Sequence, residues 1–116
     1  MIRYSARWIL PITAPPIENG VVACEDGVIR FVGRTEDAPP GDDFELGDCV
    51  LLPGLVNAHT HLELTAMRGF LEGLVFEEWI DTLRRAGTAV LDDDALLHSA
   101  RRGVSEGDEH GVTTFA

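Results

Sequence analysis

Lysine is absent from this chain: all nine basic residues are arginine, set against 20 acids for a net charge of −11. So acidic a chain is repelled by phosphate backbones and by anionic lipid headgroups, which argues against nucleic acid and membrane as partners. Cysteine is scarce as well. Cys24 and Cys49 stand far apart with no Cys-x-x-Cys spacing, which speaks against a disulfide framework or a cysteine-built zinc knuckle. Both read as small hydrophobes in or beside strands. Long apolar runs are missing too, since none approaches the ~18 residues of a membrane span. Trp8-Ile9-Leu10 is far shorter than a signal h-region, and Pro11 ends it. The location expected from these absences is cytoplasmic.

What is present begins with β patterning. Residues 2–10 alternate loosely and carry Tyr4, Trp8 and Ile9, which predicts a strand. Pro11, Pro15 and Pro16 mark a loop. Val21–Cys24 and Val28–Val32 flank Asp26-Gly27, a hairpin signal because a type I′ turn needs positive φ at both central residues. Phe44–Leu46 and Cys49–Leu52 are two more short strands. Residues 1–52 therefore read as a small β unit, and residues 53–116 as a second segment of α/β character.

In that second segment, Phe76, Trp79, Ile80 and Leu83 fall at i, i+3, i+4 and i+7, an amphipathic helix that Gly87 is expected to end. Glu77, Glu78 and Asp81 precede Arg84 and Arg85, as the helix dipole favours. Asp92-Asp93-Asp94 opens a further helix with N-cap chemistry rather than a metal site, since consecutive acids point in different directions. Its buried stripe is expected to be Leu96, Leu97, Ala100, Gly103, Val104 and Gly107, the two glycines allowing close approach to strands. His98 and His110 read as surface or capping histidines. Val112–Phe115 starts another strand, so strand, helix and strand make a βαβ unit.

The chemistry centres on Leu51-Leu52-Pro53-Gly54-Leu55-Val56-Asn57-Ala58-His59-Thr60-His61-Leu62-Glu63. Leu55-Val56 read as a strand buried on both faces, entered through Pro53-Gly54. Side chains at i and i+2 of a strand share a face, so His59 and His61 would aim two imidazoles at one point. Two neutral imidazoles converging on a point begin a transition-metal site. On the pair alone, two surface histidines at a strand end remain the plainer reading.

Pro53 to His61 resembles the first barrel strand of the amidohydrolase superfamily, Pro-Gly-(Leu/Phe)-(Val/Ile)-(Asn/Asp)-x-His-x-His, at every position. Asn57 rather than Asp, followed by Ala58-His59-Thr60-His61-Leu62, looks most like its cytosine-deaminase, chlorohydrolase and adenosylhomocysteine-deaminase branch. Met67-Arg68-Gly69 and Phe76-Glu77-Glu78-Trp79 are similar to that branch's next region. The resemblance implies the N-terminal part of a metal-dependent hydrolase (β/α)8 TIM barrel of about 250 residues, preceded by half of a small β-sandwich. On this basis the 116 residues look like part of a longer enzyme.

The resemblance also implies the chemistry: one divalent metal ion, zinc first and ferrous iron second, held in part by His59 and His61. The metal would activate water to attack an sp² carbon and expel ammonia or another leaving group. The remaining ligands and the proton-transfer residues would come from later strands, so no catalytic residue beyond the ligands falls within these 116 residues, and the segment alone is expected to be inactive. Glu63 would meet substrate at the barrel mouth or bridge to Arg68. Arg68 would brace the loop over the site, and Trp79 would pack in the core or line the substrate pocket. His61-Leu62-Glu63 also spells the His-x-Glu of the cytidine-deaminase zinc fold, but no cysteine follows position 49 to complete that site.

The expected function is hydrolysis of a non-peptide carbon–nitrogen bond, by a deaminase of a nucleoside-like or heterocyclic amine. The string His59–Leu64 resembles aminodeoxyfutalosine-deaminase-like members. The residues around Thr88 carry no acid where adenosylhomocysteine deaminases use one for the ribose. The expected partners are a small-molecule substrate and, for the full-length protein, further copies of itself. Two other readings stand beside this one: a non-catalytic binding or oligomerisation module, and a cyclic-amide hydrolase or chlorohydrolase of the same superfamily.

Overall fold

The computed structural model describes residues 1–116 apart from Val90 and the side chain of Thr88. The chain packs as two compact units, Met1–Pro53 and Gly54–Ala116, a division one residue later than the change of pattern in the sequence.

The first unit is a sheet built on β1 (Ile2–Ile9), which pairs antiparallel with β2 (Ile17–Glu25); β2 pairs antiparallel with β3 (Val28–Arg34). The β2–β3 hairpin turns at Asp26-Gly27 with φ of 51° and 73°. Both values are positive, as a type I′ turn requires. On its other side β1 pairs in parallel with two short strands, β4 (Asp42–Glu45) and β5 (Val50–Leu51). Ala6, Ile9, Val21 and Ala23 are buried. An apolar hollow of about 710 Å³ lies within this unit, lined in part by Tyr4, Ile9, Val22, Cys24, Val32 and Leu51. Cys24 and Cys49 are free thiols, both half-buried.

The second unit starts with β6 (Leu55–Asn57) and ends with β7 (Val112–Phe115), a parallel pair in which Asn57 stands opposite Phe115. Between them come a 3-10 helix (Leu62–Met67), α1 (Phe76–Ala89) and α2 (Asp93–Glu109). The Asp92 side chain caps α2 by accepting from the Ala95 N–H at 2.8 Å.

Four details differ from the sequence expectation. The loop expected around Arg68 is preceded directly by the 3-10 helix Leu62–Met67, of which Arg68 is the C-cap. α1 runs through Gly87 to Ala89; Gly87 does not take a positive φ, so it sits in the last turn instead of ending it. Arg84 and Arg85 consequently lie before that turn. The buried face of α2 is rotated: Ser99 is buried, whereas Leu97 and Val104 are exposed. The reason is that α2 packs its small residues against the 3-10 helix and β7. A Cβ on Gly103 would fall 2.5 Å from Thr65 Oγ1, and one on Gly107 would fall 2.3 Å from Phe115 Cζ. Finally, Leu55 and Val56 are 51% and 64% exposed, because a two-stranded pair leaves most of β6 uncovered.

Candidate metal centre

β6 stops at Asn57, so His59 and His61 lie beyond the strand rather than on it. The Asn57 carboxamide oxygen accepts from the His59 backbone N–H at 3.3 Å, a local bond that bends the chain as Asn and Asp side chains do in turns. Past that bend the two imidazoles still come together. Their ring centroids are 5.3 Å apart at an interplanar angle of 83°, and both residues are exposed. The rings thus adjoin past a bend, not through strand alternation.

The chain then enters the 3-10 helix, whose first turn carries Glu63. Glu63 Oε1 lies 3.2 Å from His61 Nδ1. The bridge from Glu63 to Arg68 weighed from the sequence is not the pairing seen. Arg68 instead reaches α2, where its Nη2 donates to Glu106 Oε2 at 2.5 Å and its Nη1 to Glu106 Oε1 at 3.4 Å. Arg102 Nε donates to the same Glu106 Oε1 at 2.6 Å. The two guanidiniums, Arg68 first and Arg102 second, hold the Glu106 carboxyl down to about 2, and Glu106 in turn raises Arg68.

A second tie fixes the same 3-10 helix from beneath. Ser99 Oγ accepts from the Ala66 N–H at 2.7 Å and donates to the Leu62 carbonyl at 3.4 Å. Thr65 Oγ1 donates to that carbonyl as well, at 2.7 Å. Neither Ser99 nor Glu106 was singled out from the sequence. Arg102 and Glu106 are four apart on one helix, a readable pairing signal; Arg68 is 38 residues from its partner, and nothing local announces it. Trp79 is half-buried and stacks on Phe76, with ring centroids 6.3 Å apart and planes 11° from parallel. The side chain of Thr88, around which the sequence carries no acid for a ribose, lies outside the described residues. His110 is the C-cap of α2, its Nδ1 2.7 Å from the Glu106 carbonyl.

As metal donors, the two imidazoles fit part of a ligand set. Among the described residues no cluster of three or more His, Cys, Asp or Glu is placed to hold an ion, and a catalytic zinc takes three protein ligands plus water. His59 and His61 are of a donor type that such a site uses, and their rings adjoin.

The chain is 33% identical over 112 residues to the 5-methylthioadenosine/S-adenosylhomocysteine deaminase of Moorella thermoacetica, covering 93% of this chain and 26% of that protein. It is 36% identical over 103 residues to 5-methylthioadenosine/S-adenosylhomocysteine deaminase 2 of Archaeoglobus fulgidus, covering 86% and 24% respectively. A crystal structure of an adenosine deaminase from Xanthomonas campestris, with bound zinc, superimposes with a TM-score of 0.80 at 27% identity, over 98% of this chain and 28% of that one. The A. niger ochratoxinase structure shares the fold, with a TM-score of 0.72 at 19% identity over 98% of this chain and 24% of that one. The chain spans about a quarter of the length of the curated relatives it matches. Residues 50–116, which hold β6, both histidines, the 3-10 helix, both α-helices and β7, match the amidohydrolase family; this chain belongs to that family.

Proposed function

We propose that the protein containing this chain is a metal-dependent aminohydrolase that removes an amino group from a nucleoside-like or heterocyclic amine. The observation that carries the reading is the meeting of the His59 and His61 rings, 5.3 Å apart, just past the C-terminal end of a parallel strand. In barrels built from such strands, that end is where chemistry is placed. On this proposal Gly54–Ala116 opens a (β/α)8 barrel, and Met1–Pro53 contributes half of a small sandwich. Its partners are a small-molecule substrate and further copies of itself. Neither nucleic acid nor an anionic membrane suits a net charge of −11. Among the described residues no helix is long and apolar enough to cross a membrane.

His59 and His61 would hold one divalent ion, zinc before ferrous iron, together with ligands from outside these 116 residues. When bound, such an ion supplies a Lewis acid that makes water a nucleophile near neutral pH. The chain's own contribution is positional. Asn57 sets the bend after which the two rings adjoin, and the ties to Ser99 and Glu106 hold the 3-10 helix in place. Arg68 braces that helix through Glu106. The Phe76–Trp79 stack offers an aromatic face to a heterocycle, the role proposed for Trp79. Deamination is favoured over ring opening of cyclic amides because ring-opening relatives tend to carry Asp where Asn57 stands. The names of the relatives support the same choice, and their substrates, 5-methylthioadenosine, S-adenosylhomocysteine and adenosine, are the first to try.

The test uses the complete, zinc-loaded protein with these nucleosides, cytosine derivatives, chlorotriazines and hydantoins, and measures ammonia. Release from the nucleosides or cytosines alone is expected, and His59→Ala or His61→Ala should abolish it together with bound zinc. Hydantoin opening without ammonia from any amine overturns the deaminase assignment. Full zinc content and turnover in either histidine variant overturns the ligand assignment.

A further inference from the structure

We propose that Glu63 is a positioning residue for His61: its carboxylate accepts the Nδ1–H and so reserves Nε2 as the nitrogen that faces the metal. The inference rests on the reading of His61 as a metal ligand and concerns which of its nitrogens does the binding.

The argument starts from valence. Glu63 Oε1 is 3.2 Å from His61 Nδ1. An ionised carboxylate has acceptors only, so this bond forms only when Nδ1 carries the proton. In a neutral imidazole the lone pair is then on Nε2. The His59 ring stands edge-to-face beside it, centroids 5.3 Å apart at 83°, and the carboxylate is the group that distinguishes the two nitrogens.

The backbone makes the pairing. His61 has φ −126° and ψ 71° and is the last residue before the 3-10 helix, whose first turn folds the side chain two residues on back over the ring. That turn is closed by the Leu64 N–H donating to the His61 carbonyl at 2.9 Å. Further along, the helix is pinned by Ser99 at Ala66 and by Glu106 at Arg68. Glu63 is therefore delivered to His61 by a segment fixed at three points. The rival cation, Arg68, is already engaged by Glu106. Carboxylates that hold the second nitrogen of a metal-bound histidine fix its tautomer and orientation, and their loss typically costs about 10–100-fold in metal affinity.

The experiment titrates the complete protein with zinc against a chelator and records the His61 ring ¹⁵N resonances in the zinc-free state. Glu63→Ala should weaken zinc binding about 10–100-fold and shift the ring from Nδ1–H to a mixture of tautomers. Glu63→Gln, whose amide oxygen can still accept, should keep the tautomer and recover much of the affinity. Glu63→Met removes the acceptor at equal length and carries the same expectation as Glu63→Ala should that variant not fold. Wild-type affinity and unchanged ring resonances in Glu63→Ala, with zinc lost in His61→Ala, overturn the inference and leave the metal reading standing. Weakened zinc with an unchanged tautomer also overturns it, since Glu63 would then act by charge or as a ligand. Undiminished zinc in His61→Ala overturns both.

Discussion

Replacing Ser99 by alanine tests whether α2 holds the 3-10 helix that comes after the histidines. Ser99 is only 4% exposed, and its Oγ is the acceptor for the Ala66 N–H at 2.7 Å. Removing it leaves that donor unpaired; the bond is part-buried, which places the loss in the lower half of the range for buried groups, about 1–2 kcal/mol. The second bond, to the Leu62 carbonyl at 3.4 Å, adds little, because Thr65 Oγ1 serves the same carbonyl at 2.7 Å. Alanine is the better helix former by about 0.5 kcal/mol, which offsets part of the loss. The net expectation is a local destabilisation of about 0.5–1.5 kcal/mol. At about 1.4 kcal/mol per tenfold, amide hydrogen exchange at residues 62–68 of the complete protein should quicken by roughly 2- to 12-fold. Exchange at β1–β2 in the first unit should not change. Residues 62–68 exchanging at the wild-type rate in Ser99→Ala would refute the reasoning and assign the hold to Arg68–Glu106 alone.

Asp92→Ala should destabilise α2 by about 1 kcal/mol through loss of the cap on Ala95, and Asp92→Asn should restore most of it; helix-specific hydrogen exchange reads both. The Glu106 carboxyl, held to about 2 by Arg68 and then Arg102, is depressed below the ordinary glutamate value of about 4.3. Its contribution to stability is therefore complete above that value and is lost as pH falls towards 2. A ¹³C titration of the Glu106 carboxyl should show this, with Arg68→Met raising the midpoint more than Arg102→Met, and an ordinary midpoint in the parent would contradict it. Gly107→Ala places a Cβ 2.3 Å from Phe115 Cζ. The overpacking costs about 1–3 kcal/mol against about 1 kcal/mol of helix propensity gained, so thermal stability should fall, and a rise would show that the Phe115 ring moves aside freely.

Local chemistry was legible in the sequence wherever one or two residues dictate a conformation. Asp26-Gly27 announced its turn and Asp92 its cap, since positive φ and an orphan N–H are properties of the segment itself. The meeting of His59 and His61 was foreseen for a different reason from the one that operates: period-two alternation was expected, and an Asn57 bend brings the rings together. Reading helix faces from hydrophobicity failed on α2. The partners there are a short 3-10 helix and β7, which the small residues Ser99, Gly103 and Gly107 approach closely while Leu97 stays out. Gly87 misled because a glycine stops a helix only where it takes up positive φ, and at Gly87 the helix continues for two more residues. The Arg68–Glu106 tie depends on tertiary placement across 38 residues and leaves no local mark.

The shape of one edge of the first sheet also bears on whether another strand can pair there. An outer strand with unpaired N–H and C=O groups is a template for another strand. Here the outermost position beside β1 is divided between β4 and β5, with Gly47 at φ 79° between them. On this side an incoming strand finds no more than the four residues Asp42–Glu45 in a row, whereas the opposite edge, β3, offers seven. Three of those four are carboxylates, of which Asp43 alone has Arg3 beside it, 2.9 Å away. Two copies meeting rim to rim would set acid against acid over a very short ladder, so ribbon-like aggregation along this side is blocked by both length and charge.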